Sequence, residues 1–377
     1  MQRYLEAQLR RDLARKAVVL TGARQVGKTT LARQLIGQVS SASYLNWDVP
    51  ADRAVLLRQS WDPRAALVVL DEIHKMPAWK PWLKGVIDAK PAEQALLVTG
   101  SARMDTFRQS GESLAGRYLH LHLDPISVRE WCTQTGAGPE RALLHLIERG
   151  GFPEPALAES ADEARRWRRQ YATDLIREDV LEFSRLQEIN AMRVFVELLR
   201  ERVGSPLSLA SVARDLAVSP TTLKRYLQIL QALHVVILVQ PWHRNIARSL
   251  LQAPKVYFID TGMVKGDEGV RFENAVAVML CKQVHYRGDT TGRDVGLHYI
   301  RTKDGAEVDF CLSCDGALYQ LLECKLSDTR PHRALARFAT QCVDAEAVQL
   351  VRDARQVERR GVIAIEPAAA WLARLDA

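Results

Sequence analysis

Hydrophobic positions along this chain fall into two patterns, and each change between them marks an element. Unbroken apolar runs at Ala17–Leu20, Leu67–Leu70 and Ala95–Val98 predict short strands buried on both faces. Thr30–Ile36 carries its apolar residues at helical spacing, and Ser43–Trp47 is a further strand candidate. Strands and helices alternate in this way over residues 1–135, the pattern of an α/β core, until Pro125 and the Gly136–Pro139 stretch interrupt it. A helical segment then runs from Pro139 to Arg202, broken by the Gly150–Pro155 cluster, which reads as a turn or cap. Next, Ser208 caps a helix over Leu209–Leu216, Ala217 and Val218 turn the chain, and Ser219 with Pro220 starts a second helix reaching about Leu233. Two helices joined this way are a helix-turn-helix, and strands at Val235–Val239 and Lys255–Ile259 suggest its winged form. Glu307–Leu312 alternates like a half-buried strand, Asp315-Gly316 turns, and Leu318–Lys325 returns as a second strand.

The strand at Ala17–Leu20 leads into Gly22, Ala23, Arg24, Gln25, Val26, Gly27, Lys28 and Thr29, which fit the phosphate-binding pattern G-x-x-x-x-G-K-[ST] at every fixed position, with Thr30 following in the helix. Glycine at 22 and 27 lets the backbone curl and present N–H groups to phosphate oxygens, while the helix starting near Lys28 points its positive end at the same anion. Lys28 would reach the β- and γ-phosphates, and the Thr29 hydroxyl would ligate Mg²⁺. The cofactors expected are therefore ATP and Mg²⁺.

The strand at Leu67–Leu70 ends abruptly in Asp71 and Glu72. Asp71 would hold Mg²⁺, directly or through water, and Glu72 would orient and polarise the attacking water. The next strand ends in Thr99-Gly100-Ser101, where Thr99 or Ser101 would sense the γ-phosphate, with Ser101 favoured. The extra strand between the phosphate loop and the acidic strand, with a glutamate after the aspartate, points to ATP hydrolysis rather than phosphoryl transfer to a metabolite.

Composition agrees with several packed domains. The chain has 377 residues, 47% of them hydrophobic, and a formal net charge of +7. The basic excess permits a polyanionic partner. Much of it is local, since Arg165, Arg166, Arg168, Arg169, Arg177 and Arg185 share one helical stretch, which serves either as a solvated face or as a nucleic-acid or nucleotide contact. No stretch approaches 18 apolar residues and the N-terminus, with Arg3, Arg10, Arg11 and Asp12, has no signal core, so a cytoplasmic protein without a membrane partner is expected. Six cysteines in such a chain imply reduced thiols. Cys311 and Cys314 form a single C-x-x-C, and with Cys324 and Cys342 they read as strand or turn thiols rather than zinc ligands.

A second site is legible near the C-terminus. Glu323 and Lys325 lie two apart and so share one face of their strand, Asp309 sits on the strand before, and Glu273 lies in a helix beginning near Arg271. This D…E-x-K pattern is that of restriction-endonuclease-like folds, in which Glu273, Asp309 and Glu323 would bind Mg²⁺ and Lys325 would activate water or stabilise the phosphorane.

Taken together, GARQVGKTT at 22–30, VLDEIHK at 69–75, TGSA at 99–102, SLAGR at 113–117, GGFPE at 150–154, KVYFIDTG at 255–262, FENAV at 272–276 and the EVDF…ECK pair resemble the prokaryotic AAA-type ATP-binding proteins with a C-terminal domain of uncharacterised function. The resemblance spans nearly the full length. It implies an α/β fold class: a P-loop AAA+ core with a parallel sheet over 1–135, a helical lid or linker over 136–205, a winged helix-turn-helix over 206–262, and an endonuclease-like α/β domain over 263–377. It also suggests Arg117 as an arginine that completes a neighbouring subunit's site, and hence a homo-oligomer. Cys324 and Ala102 depart from the usual pattern without removing a catalytic group. Two functional classes follow: an ATPase of a DNA-acting oligomer, engaging duplex or branched DNA, or a nucleotide-gated switch whose C-terminal domain is an inactive binding module.

Overall fold

The computed structural model describes residues 1–100, 114–175, 186–242, 253–302 and 304–377, and the side chains of 186–189 are also left aside. Ser101, Ala102, Ser113, Arg177 and Arg185 lie outside the described residues. The chain forms two compact units, Met1–Asp124 and Pro125–Ala377.

In the first unit, helix α1 (Glu6–Leu13) precedes β1 (Ala17–Thr21), α2 (Lys28–Ile36), β2 (Ala42–Asn46), α3 (Pro50–Arg58), β3 (Leu67–Asp71), α4 (Trp79–Ala89), β4 (Ala95–Thr99) and β5 (Tyr118–His122). The strands form one parallel sheet in the order β2-β3-β4-β1-β5. All five residues of β1 and of β3 are buried, as their unbroken apolar runs require of strands covered on both faces. Val19, Leu70 and Val98 pack with Leu83 of α4 in the core of this unit. In the sheet the strand between β1 and β3 is β4, whereas β2, which intervenes in the sequence, lies at the edge. Thr99, at the tip of β4, is thereby placed beside Asp71 in register.

The second unit begins ahead of the Gly136–Pro139 break. Helices α5 (Val128–Thr135) and α6 (Pro139–Arg149) pack within it, followed by α7 (Pro153–Leu157), α8 (Ala161–Asp174), α9 (Leu186–Arg200), α10 (Leu209–Asp215) and α11 (Pro220–Ala232). The N-cap side chains read from the sequence are in place, Ser208 accepting from the Ser211 N–H at 3.4 Å and Ser219 from Thr222 at 3.0 Å. After α11 come β6 (Val236–Pro241) and β7 (Lys255–Phe258), an antiparallel pair. The rest of the unit is α12 (Glu268–Thr291), β8 (Val295–Arg301), β9 (Glu307–Cys314), β10 (Ala317–Lys325), α13 (Arg333–Gln341), β11 (Glu346–Val351), β12 (Glu358–Arg360), β13 (Ile363–Pro367) and α14 (Ala368–Ala373). All of these strands belong to one sheet, β12-β13-β11-β10-β9-β8-β6-β7. The pair that follows the two helices is stitched to the C-terminal strands through parallel pairing of β6 with β8 at Gln240 and Pro241. The sheet therefore runs continuously across residue 262.

Two glycine-bearing segments, GGFPE and FIDTG, meet at a buried ion pair. Arg168 donates from Nε to Asp260 Oδ2 at 2.6 Å, with side-chain exposures of only 9% and 2%, and gives a second bond from Nη2 to the Arg149 carbonyl at 2.8 Å. A Cβ on Gly262 would overlap the Arg168 guanidinium, and one on Gly150, whose φ is +76°, would overlap the Asp260 carboxylate. The small residues are there to admit charged heads into the core. Removing one member of a buried pair strands the other charge at a cost of about 3–5 kcal/mol. Arg168→Met and Gly262→Ala should both lower the unfolding midpoint of the chain, by several degrees, in thermal or urea melts. Melts unchanged for both variants would show that the pair does not hold this unit together.

Candidate active site

The phosphate loop occupies the C-terminal end of β1. Gly22, with φ +147°, passes so close to the Leu123 carbonyl that a Cβ would overlap it. Gly27, at φ +103°, is the N-cap of α2 and offers no side-chain acceptor, so the first N–H groups of the helix are left for an anion. Arg3 is buried beneath the loop and donates from Nη1 to the Val26 carbonyl at 2.8 Å and from Nη2 to the Asp124 carbonyl at 2.5 Å. Arg24 and Gln25 are exposed at the loop's crest, and Gln25 adopts φ +63°.

Lys28 is buried, with Nζ donating to the carbonyls of Gly22 at 3.0 Å and Ala23 at 2.8 Å. Burial pushes its pKa down to about 8, a fall only partly offset by Glu72 and Asp71. Asp71 gathers three hydroxyls. Thr29 Oγ1 and the Tyr44 hydroxyl donate to its Oδ2 at 2.9 and 2.6 Å, and the Thr99 hydroxyl donates to its Oδ1. Thr29 and Asp71 thus stand as adjacent hard-oxygen ligands, the donor set that Mg²⁺ shares with substrate phosphates. Glu72 follows in a left-handed backbone conformation, φ +57°, its N–H bonded to the Thr99 carbonyl at 3.0 Å. Its Oε2 lies 3.3 Å from Lys75 Nζ and 3.6 Å from His74 Nε2.

Arg117 is elsewhere. It forms a two-pronged bond to Asp88 of α4, at 2.8 and 3.2 Å, just before β5 and so at the N-terminal edge of the sheet, opposite its own phosphate loop. Ser101 lies outside the described residues, and of the two residues expected to face the γ-phosphate only Thr99 is among them.

The C-terminal carboxylates sit where β7, α12, β9 and β10 come together. Asp309 Oδ2 accepts from the Cys324 N–H at 2.9 Å. Glu323 Oε1 lies 2.6 Å from Lys325 Nζ and 3.0 Å from His332 Nδ1. Between the remaining acids lies Lys255, 1% exposed, with Nζ 2.6 Å from Glu307, 3.4 Å from Glu273 and 3.8 Å from Asp309. Tyr257 donates to Glu273 Oε1 at 2.6 Å. Burial raises the Asp309 and Glu273 pKa values; the Glu273 and Glu323 charges push Asp309 up further, while Lys255 restrains Glu273. Burial also pushes Glu323 up, but His332 and Lys325 outweigh it and the net shift is downward.

The sequence pattern has Glu273, Asp309 and Glu323 sharing Mg²⁺. In the structure they do not form a three-ligand set with all donor atoms within 4.8 Å of one another; Tyr257 and Lys255 stand on Glu273, Lys325 and His332 on Glu323, and the Cys324 N–H on Asp309. As arranged they do not fit a divalent ion. The cysteines are free thiols, Cys311 buried in β9, and none joins a three-ligand cluster among the described residues.

Tyr44, Arg3, Lys255, Glu307 and His332 carry no signal that singles them out in the sequence, with one exception. Glu307 was findable, because it precedes Asp309 by two and so shares its strand face. The others reach their partners only through long-range packing.

The helix pair presents a polar face. Thr221, Lys224, Arg225 and Gln228 of α11 are exposed at helical spacing while Leu223, Tyr226, Leu227 and Leu230 are buried. No helix among the described residues is long and apolar enough to cross a membrane.

Residues 14–132 match the family described as AAA domain, and 140–268 and 268–370 match two domains of unknown function, DUF8612 and DUF4143. An uncharacterised protein of Mycobacterium tuberculosis is 31% identical over 331 residues, covering 84% of this chain and 72% of the relative, and one of Mycobacterium bovis matches to the same extent. Solved structures found as similar include a Walker-type ATPase of Pyrococcus abyssi, 13% identical with a TM-score of 0.45 over 68% of this chain and 93% of that one. Another is a variant of Thermotoga maritima RuvB, 17% identical with a TM-score of 0.34 over 63% and 89%. Likenesses this loose carry no functional argument. With its phosphate loop, acidic strand and parallel sheet, the chain belongs to the family of these mycobacterial proteins, AAA-type P-loop ATPases whose C-terminal domain has no assigned function.

Proposed function

We propose that the chain is a Mg²⁺-dependent ATP hydrolase acting on DNA as a homo-oligomer in the cytoplasm. The observation that carries the hydrolase reading is the convergence of Lys28, Thr29 and Asp71, with Glu72 next in line. Lys28 and the α2 N-terminus bind the β- and γ-phosphate oxygens. Thr29 and Asp71 would hold Mg²⁺, which when bound would neutralise charge on the phosphates. Glu72 accepts a proton as the water oxygen attacks the γ-phosphorus and the bond to the β–γ bridging oxygen breaks, releasing ADP. Thr99, or Ser101 beyond it, reads the γ-phosphate.

DNA as partner is supported by the basic balance, by the polar face of α11 read as the recognition helix of a winged helix-turn-helix, and by the endonuclease-like D…E-x-K arrangement on β9 and β10. A homo-oligomer would bring Arg117 to a neighbour's nucleotide once released from Asp88.

Lys255 favours the second reading for the C-terminal site. An ammonium seated on Glu307, Glu273 and Asp309 supplies from within the chain the positive charge that a nuclease draws from its metal. On this reading the domain binds without cleaving and the chain works as a nucleotide-gated switch.

Lys28→Ala should abolish ATP turnover, and Glu72→Gln should reduce it by about 10²–10⁴-fold while leaving nucleotide binding near the parent level. Purified protein that releases no phosphate from ATP with Mg²⁺, with or without DNA, would defeat the hydrolase reading.

Nucleotide binding should also take up protons. The lowered Lys28 pKa means that the unfolded chain holds more protons than the folded one between about pH 8 and 10.5, so this group's burden on stability is full below pH 8 and fades as pH rises through that window. Phosphate oxygens restore its charge. Calorimetry in buffers of different ionisation heat should show uptake approaching one proton at about pH 9 and almost none at about pH 6.5. Equal uptake at both would rule out Lys28 as its source.

For the C-terminal site, no Mg²⁺- or Mn²⁺-dependent DNA cleavage is expected. Metal-dependent cleavage lost in Asp309→Ala would overturn the non-cleaving reading.

A further inference from the structure

The arginine-rich stretch of the sequence takes no part in either site described above. In the structure three of its arginines, Arg165, Arg168 and Arg169, help line an open cavity of about 860 Å³ bordered by α8, α9, the Gly262–Lys265 turn and the start of α12. We propose that this cavity binds nucleotide phosphates, from a single strand of nucleic acid or from a free nucleotide.

Charge carries the argument. Arg165, Arg168, Arg200 and Lys265 are already committed, to Asp162, to Asp260, to Glu197 with the Met263 carbonyl, and to Glu197, respectively. That leaves Arg169 from α8, Arg193 from α9 and Arg271 from α12. All three are exposed into the cavity, and none pairs with a carboxylate among the described residues. Three like charges carried by three elements on the lining of one cavity repel one another, a cost that a bound anion reverses. They are arginines, whose planar forks match phosphate oxygens in two-pronged fashion.

Shape narrows the ligand. Val194 is 49% exposed on the same wall, and Met263 and Val264 line the cavity beside it, so an apolar ledge lies next to the cations. A phosphate flanked by a sugar and a base needs that combination, as strand-binding grooves show. The volume is that of a small-ligand cleft, roughly 300–1,000 Å³, and not of a duplex groove. A solvated helix face explains Arg165, which is paired with Asp162 on its own helix, and Arg166, which is exposed and does not line the cavity. It does not explain arginines from separate helices turned onto one concavity.

The strand source rests on the DNA-acting reading; the free-nucleotide source does not. In a Lys28→Ala parent, which silences the phosphate loop, anisotropy would be read with a fluorescent single-stranded oligonucleotide and, separately, a fluorescent ADP analogue. Adding Arg169→Ala, Arg193→Ala and Arg271→Ala should weaken whichever probe binds by at least about ten-fold. For the oligonucleotide, the slope of log affinity against log salt should flatten by about 2, three contacts at roughly 0.7 each. Lysine at the same three positions should keep most of the slope but lose affinity, since charge remains and the fork is gone. On the otherwise natural chain the triple alanine variant should keep its DNA-free ATPase rate, confirming that it folds. A parent that binds the nucleotide but no strand, with that binding lost in the triple variant, supports the site and assigns it to free nucleotide, while the DNA-acting reading then stands or falls on duplex and branched DNA. Binding of both probes unchanged in the triple variant, or no binding of either by the parent, overturns the site.

Discussion

Asp71 is the constraint on which the N-terminal unit closes. A carboxylate buried at the end of a central strand is costly unless its oxygens are occupied, and hydroxyls from three different elements occupy them. Thr29 brings the start of α2, Tyr44 brings the edge strand β2 and Thr99 brings β4. The strand order then has a chemical reason, because β2 and β4 flank β3 and end level with it. The same gathering sets the nucleotide site, since Thr29 can serve a metal only if the phosphate-loop helix starts within reach of that carboxylate.

The C-terminal unit solves the burial of charge differently, by pairing acids with bases. Arg168 with Asp260, Lys282 with Glu130, and Lys255 with its three carboxylates are all cations with at most 9% of the side chain exposed. Around two of them the backbone thins to glycine. Gly150 and Gly262 leave room for Asp260 and Arg168, and a Cβ on Gly204 would press on the Glu273 carboxylate at 3.1 Å. Segments that read as turns or caps in the sequence are in this sense housings for charged groups.

Local physics is what the sequence displayed well. The strands at Ala17, Leu67 and Ala95, the glycines at 22 and 27, the caps at Ser208 and Ser219 and the β9–β10 hairpin all follow from period, turn chemistry or caps within a few residues. Strand order did not follow. A strand between β1 and β3 was legible, but which one intervenes depends on packing across the sheet, and it is β4 rather than β2. Lys255 was invisible for a similar reason. At the head of an apolar strand it looks like a solvated end, and only the meeting of β7 with α12 and β9 buries it among acids. Nor did the sequence show that the sheet crosses residue 262, since pairing of β6 with β8 is a contact between residues nearly sixty positions apart.

That pairing ties two things together. Lys255 rides on β7, the outermost strand, and β7 is held to the sheet through β6, the strand that follows the helix pair directly. β7 is also clamped directly to α12, since Asn274 accepts from the Phe258 N–H at 2.8 Å and donates to its carbonyl at 2.9 Å, so the strand that carries Lys255 and the helix that carries Glu273 are held as one piece. The charge balance of the carboxylate cluster is thus built by residues far apart in the chain, Lys255 on one side and Glu273, Glu307 and Asp309 on the other, and a substitution at Asn274 would loosen it without touching a charged group.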